Sequence, residues 1–166
     1  MPAEDKGPGT PYEGFTMELA GFDTVPVLLF TVSGVLLGRR LGSPLFLAGV
    51  ALCLAGGLSK CLWKMLIVWR RRDVVWLKPV SRIGKFGGFA VMAAALALGG
   101  YDARLLAAMV KAPALYFLIA GLAGLSGMVY CFIRLDRDSA CSNWIEEGIN
   151  TLAQLSWVLC VLMAMR

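Results

Sequence analysis

The chain has no histidine. That excludes an imidazole base, a histidine-ligated zinc or haem, and a Ser-His-Asp triad. Charge is scarce too: 16% of the 166 residues are Asp, Glu, Lys or Arg, against about 25% in a typical soluble domain. The five cysteines (Cys53, Cys61, Cys131, Cys141 and Cys160) are odd in number and form no C-x-x-C pair. Most sit within apolar runs, where cysteine behaves as a small hydrophobe. No nucleophile elbow, Walker loop, dinucleotide fingerprint or zinc pattern occurs, so the sequence calls for no cofactor and no metal.

Apolar residues are abundant instead. They make up 58% of the chain, whose mean hydropathy is +0.72, whereas soluble domains are about 45–50% apolar. They fall into five long runs: 21–38, 44–69, 83–101, 113–133 and 144–165. At 1.5 Å per residue the first gives about 27 Å and the second about 39 Å, enough to cross a hydrocarbon core, the second with tilt or protrusion. The expected fold is all-α, a polytopic membrane bundle of five transmembrane helices forming one domain over residues 21–166. A four-span alternative omits the Gly/Ala-rich third run. Exposing that run to water would cost about 25 cal/mol per Å² of apolar surface, which favours five.

Residues 1–20 hold three Pro, three Gly, four acids and one Lys, a composition that predicts a mobile acidic tail. The tail lacks the basic opening of a secretory signal, so the first run is expected to remain in the mature protein. With five spans, nine Lys or Arg fall on the amino-terminal side and five on the other, with Lys60 and Lys64 inside the second run. The positive-inside tendency then places the amino terminus in the cytoplasm of a cell membrane, and the compact, loop-poor layout suggests a bacterial plasma membrane. Counting four spans instead gives ten against four, with both termini inside.

The connection 70–85 is the most basic, with Arg70, Arg71, Arg72, Lys78, Arg82 and Lys85. It is expected to meet anionic lipid headgroups, with Val74–Leu77 along the interface and Trp63 and Trp69 in an aromatic belt. Residues 102–112 should form a short polar or amphipathic connection, with Pro113 early in the next helix. Ser142 or Asn143 should cap the last helix. Asp136-Arg137-Asp138 offers carboxylates but has no second acidic motif. Small residues at helical spacing (Gly34 with Gly38, Gly84 with Gly88, Ala93 with Ala97, and Gly121, Gly124 and Gly127) fit close packing within one chain or a homo-oligomer interface.

The second and fifth runs carry polar groups a plain anchor would not tolerate. Lys60 and Lys64 share one helix face at i, i+4; Glu147, Asn150 and Gln154 share another at i, i+3, i+7, with Glu146 beside it. Each charge at bilayer depth costs at least about 2.5–3.5 kcal/mol on insertion scales. Lys64 and Lys60 lie about 9 and 15 Å from Arg70, and Glu147, Asn150 and Gln154 about 6, 10 and 16 Å from Asn143. The expectation is a polar cluster in the cytoplasmic half of the bundle, with Asp23 at the same level. It either fixes helix register or binds an ion, a proton or a charged headgroup.

Three functions fit. The first is a small transporter or transporter subunit, in which Glu147 exchanges a proton or cation against Lys60. The second is a membrane enzyme acting on a lipid or isoprenoid headgroup, with Glu147 or Asp23 as base and the cations holding phosphate. The third is a non-catalytic scaffold whose basic connection binds anionic lipid or a membrane partner subunit. Nucleic-acid binding is not expected, because orientation accounts for the net charge of +5.

Overall fold

A computed structural model describes residues 16–70, 74–99, 101–135 and 139–166. Most of the expected acidic tail, Arg71, Arg72, and Asp136, Arg137 and Asp138 lie outside the described residues. The described chain is all-α: α1 (Met17–Phe22), α2 (Thr24–Arg40), α3 (Pro44–Arg70), α4 (Leu77–Gly99), α5 (Ala103–Met109), α6 (Ala114–Arg134) and α7 (Ala140–Ala164). With α1 and α2 taken together, five stretches are long and apolar enough to cross a membrane. The stretch Leu77–Gly99 is among them, as the five-span reading expects.

Several boundaries differ from expectation. Residues 17–20 are not tail but helix: the Thr16 hydroxyl accepts a hydrogen bond from the Leu19 amide, and Leu19 and Ala20 are buried. An N-cap and a buried apolar pair suffice to order this turn. Helix α4 starts at Leu77, six residues before the expected span. Leu77 and Ser81 are buried on one side while Lys78 reaches over the Trp63 ring, 4.8 Å from its centroid. The basic segment is thus drawn into the helix, its long stems lying on apolar surface. The interfacial segment shrinks to Val75 and Trp76, both exposed. The last helix begins at Ala140 with Ser139 at its N-cap, so neither Ser142 nor Asn143 caps it.

The turn between α2 and α3 passes through Gly42 at φ 60°, a conformation that suits glycine. Beyond α4, Asp102 caps α5 by accepting from the amides of Arg104 and Leu105 at 3.0 and 3.1 Å and pairs with Arg40 at 3.3 Å. The Leu105 amide, with help from the Arg104 amide and the Arg40 guanidinium, holds the Asp102 carboxyl below its ordinary range. Leu105 and Met109 turn inward from α5, so this connection is amphipathic as expected.

Helix α2 is the central strut. It packs on α3 along one side and α7 along the other; α3 pairs with α4, and α6 with α7. Two antiparallel hairpins, α3–α4 and α6–α7, therefore flank α2. The α3–α4 contact is the closest in the molecule. A Cβ built on Gly56 would stand 2.7 Å from the Lys85 backbone nitrogen, and one on Gly88 2.6 Å from the Gly49 carbonyl oxygen. Only glycine allows such backbone approach, which supplies dispersion contact where lipid gives little hydrophobic drive. Phe46, Val50, Cys53, Met92 and Ala95 form the core beside it, and Met109, Ala114, Cys160 and Val161 a second core under α5.

The outer surface is apolar. Ile83, Phe86, Leu98 and Ile133 are each more than two-thirds exposed, as suits helices facing lipid. Trp69, Trp76 and Tyr130 stand at one end of the bundle, and Tyr101 and Tyr116 at the other, in the places where aromatic side chains meet the two membrane interfaces.

Candidate functional site

The polar side chains converge where α1 gives way to α2. Asp23 sits at that break; α3 delivers Lys60 and Lys64 one turn apart, and α7 delivers Asn143, Glu147 and Asn150. The backbones of α3 and α7 make no close contact among the described residues. Both rest on α2, and long side chains bridge the space between them. Leucines at these positions would leave no polar partner across that gap, whereas an ammonium on a four-carbon stem reaches a carboxylate.

Lys60 Nζ donates to Glu147 Oε1 at 2.5 Å, and Lys64 Nζ lies 3.6 Å from the same oxygen. Lys64 Nζ also stands 2.6 Å from Asp23 Oδ2 and donates to Asn143 Oδ1 at 3.0 Å. Asn150 Nδ2 donates to Glu147 Oε2 at 3.4 Å, and Asn143 Nδ2 to the Ser139 carbonyl at 3.0 Å. Lys64 is thus shared between two carboxylates, and Glu147 between two ammonium groups. The Lys64–Asp23 contact is an ion pair rather than an aligned hydrogen bond: Asp23 is buried, and its Oδ1 accepts no hydrogen bond among the described residues.

Burial divides the group. The side chains of Asp23, Lys64 and Glu147 are at most 3% exposed, while that of Lys60 is 30% exposed. Two ammonium and two carboxylate groups sum to zero charge, which is what makes their depth tolerable: an isolated charge there would be costly, and a compensated set recovers much of the loss. Lys64 lies six residues from the end of α3, and Glu147 seven from the start of α7, about 9 and 10 Å in from one end of the bundle.

The structure brings together Asp23, Lys60, Lys64, Glu147 and Asn150 and leaves two expected members outside. Glu146 is half-buried next to Glu147 but joins no ion pair among the described residues. Gln154 lies a turn further along α7 and faces a separate cavity between the hairpins. Asn143 is the member that sequence reasoning assigned elsewhere. Its spacing from Glu147 and Asn150, i, i+4, i+7, puts it on their face, and taking it for a cap hid that signal. Of the headgroup candidates, Arg70 and Arg82 are exposed, Lys78 lies over Trp63, and Lys85 is half-buried on α4.

Of the small-residue pairs, the glycines make contacts within the chain, Gly34 facing Val50, Gly84 facing Gly56, and Gly124 facing Ala153, whereas Ala93 and Ala97 are exposed. Four of the five cysteines are buried, Cys141 being exposed. The chain matches no family model, no curated protein and no solved structure.

Proposed function

We propose that this multi-pass membrane protein is a small transporter or transporter subunit, and that Asp23, Lys60, Lys64 and Glu147 form its proton- or cation-exchange site. The observation that supports this most directly is the asymmetry of a neutral, buried cluster in which Lys60 is 30% exposed while Asp23, Lys64 and Glu147 are almost fully enclosed. While Lys60 is seated on Glu147, the group is neutral. When Lys60 swings outward, Lys64 alone faces two carboxylates and the site carries one negative charge. A proton or a monovalent cation restores neutrality there, and the return of Lys60 displaces it. The unaccepting Asp23 Oδ1 gives the incoming ion or proton an oxygen without a competing donor. In this reading the protein resides in a cell membrane with its amino terminus and the Arg70, Lys78 and Arg82 rim on the cytoplasmic side, against anionic headgroups.

The test is flux in proteoliposomes under an imposed membrane potential, followed with a pH-sensitive dye and with sodium- and potassium-sensitive dyes. Wild-type protein carries protons or one of these cations; Glu147→Gln and Asp23→Asn insert and fold but carry none. A wild-type protein without flux, or variants that match it, sinks the proposal. So does a Lys60→Met, Glu147→Leu double variant that is more stable than wild type and equally active, since ion pairs serving architecture alone can be exchanged for apolar residues.

A further inference from the structure

A second cavity lies between the hairpins, toward the end of the bundle opposite the ionic cluster. Its volume is about 470 Å³, within the range of about 300–1,000 Å³ usual for ligand pockets. Phe30 and Leu37 of α2 form its back, Phe89 of α4 and Leu125 of α6 its flanks, Leu105 of α5 its cap, and Trp157 of α7 its floor. Helices α4 and α6 line it from opposite sides and make no close backbone contact with one another among the described residues, so the cavity is partly open between them. That opening lies along the length of the spans, where the surroundings are hydrocarbon. The few polar groups do not fit a water-filled chamber: the Ser33 hydroxyl is already donated to the Phe30 carbonyl at 2.9 Å. Gln154 and Asp102 lie at the two ends.

The mouth near α5 is different in kind. Asp102, on the lining, holds Arg40 through Nε at 3.3 Å. The Arg40 side chain is 55% exposed, and Arg39 and Arg104 are exposed nearby. Three cations against one carboxylate make this rim positive. An apolar slot open to acyl chains, ending at a cationic rim at headgroup level, matches an amphiphile of one particular chemistry. We propose that the slot holds a hydrocarbon chain of an anionic membrane lipid whose headgroup rests on Arg40. This site is independent of the exchange cluster and lies at the other end of the protein from the basic 70–85 segment.

The test uses the full chain with Trp63, Trp69, Trp76 and Trp144 replaced by Phe, leaving Trp157 as the reporter inside the slot. It is reconstituted in vesicles of phosphatidylcholine mixed with chain-brominated phosphatidylglycerol or chain-brominated phosphatidylcholine, bromine being a short-range quencher. Trp157 quenching should saturate at about fivefold lower mole fraction of the anionic lipid, the preference one arginine contact supplies. Arg40→Gln should equalise the two lipids. Ala93→Phe, which projects a ring into the slot from the exposed face of α4, should abolish the saturable component.

Quenching that follows bulk composition for both lipids overturns the proposal. So does a Trp157 that no brominated lipid reaches, which would mean that a helix of a second copy or of another subunit fills the slot. Should the four-Phe chain fail to fold, native mass spectrometry of the unsubstituted protein decides. One phosphatidylglycerol retained after delipidation and lost in Arg40→Gln supports the site, and equal retention of phosphatidylcholine refutes it.

Discussion

Lys64 is the residue on which the ionic cluster turns. Its ammonium touches Asp23, Asn143 and Glu147 from a nearly inaccessible position, whereas Lys60 touches Glu147 and keeps part of its stem at the surface. Removing one partner of a buried ionic group leaves the other uncompensated, at a cost of about 3–5 kcal/mol. Lys64→Met should therefore destabilise the protein by about that amount, and Lys60→Met by clearly less, because Lys64 still faces Glu147 and the Lys60 side chain is less enclosed. Denaturant unfolding in detergent micelles measures both, and equal losses would show that Lys60 is as deeply committed as Lys64. Helical spacing and depth in the sequence already pointed to this group, because charges within apolar runs need partners at their own level. The sequence did not show which ammonium sits at the centre, since both lysines share one helix face and only the position of Asp23 separates their roles.

Among the helices, the α3–α4 pair carries the most exacting fit. The backbones approach where Gly49 and Gly56 meet Gly88 and Gly84, and overpacking a tight contact costs about 1–3 kcal/mol. Gly56→Val should lower stability within that range. Gly87→Ala is the control: a methyl there meets nothing, and replacing glycine within a helix should leave stability equal or higher. Thermal unfolding of the two variants side by side checks the difference, and similar losses would mean that the hairpin tolerates separation. The glycine spacing was visible in the sequence, though its partners were not. The same holds for the start of α4: charge at Lys78 and Arg82 suggests a loop, yet burial of Leu77 and Ser81 against a neighbour prevails over it. The slot between the hairpins was not legible at all, because it arises from two helices that fail to meet, and no periodicity records an absence of contact.

At the level of the molecule, five crossings put the two termini on opposite sides, a conclusion reached equally from hydropathy and from the alternating course of the helices. Cys141 gives a direct check. It is the exposed cysteine and lies at the same end as Arg70 and Arg134, while Cys53, Cys61, Cys131 and Cys160 are buried. In sealed vesicles, a membrane-impermeant maleimide should label Cys141 from the side that holds the amino terminus and leave it unlabelled from the side that holds the carboxyl terminus. Labelling from the side opposite the amino terminus would disprove the five-crossing arrangement.

The order in which the ionic partners leave the ribosome follows from their places along the chain. Asp23 is made first and Lys64 finds it when α3 arrives, but Lys60 precedes Glu147 by 87 residues. At about 5–20 residues per second, the nascent protein spends roughly 4–17 s with one lysine too many and no acid to meet it. For that interval Lys60 has no carboxylate of its own, and α7 supplies one when Glu147 arrives. Arrival of α7 is therefore the moment at which the charge balance of the interior is struck.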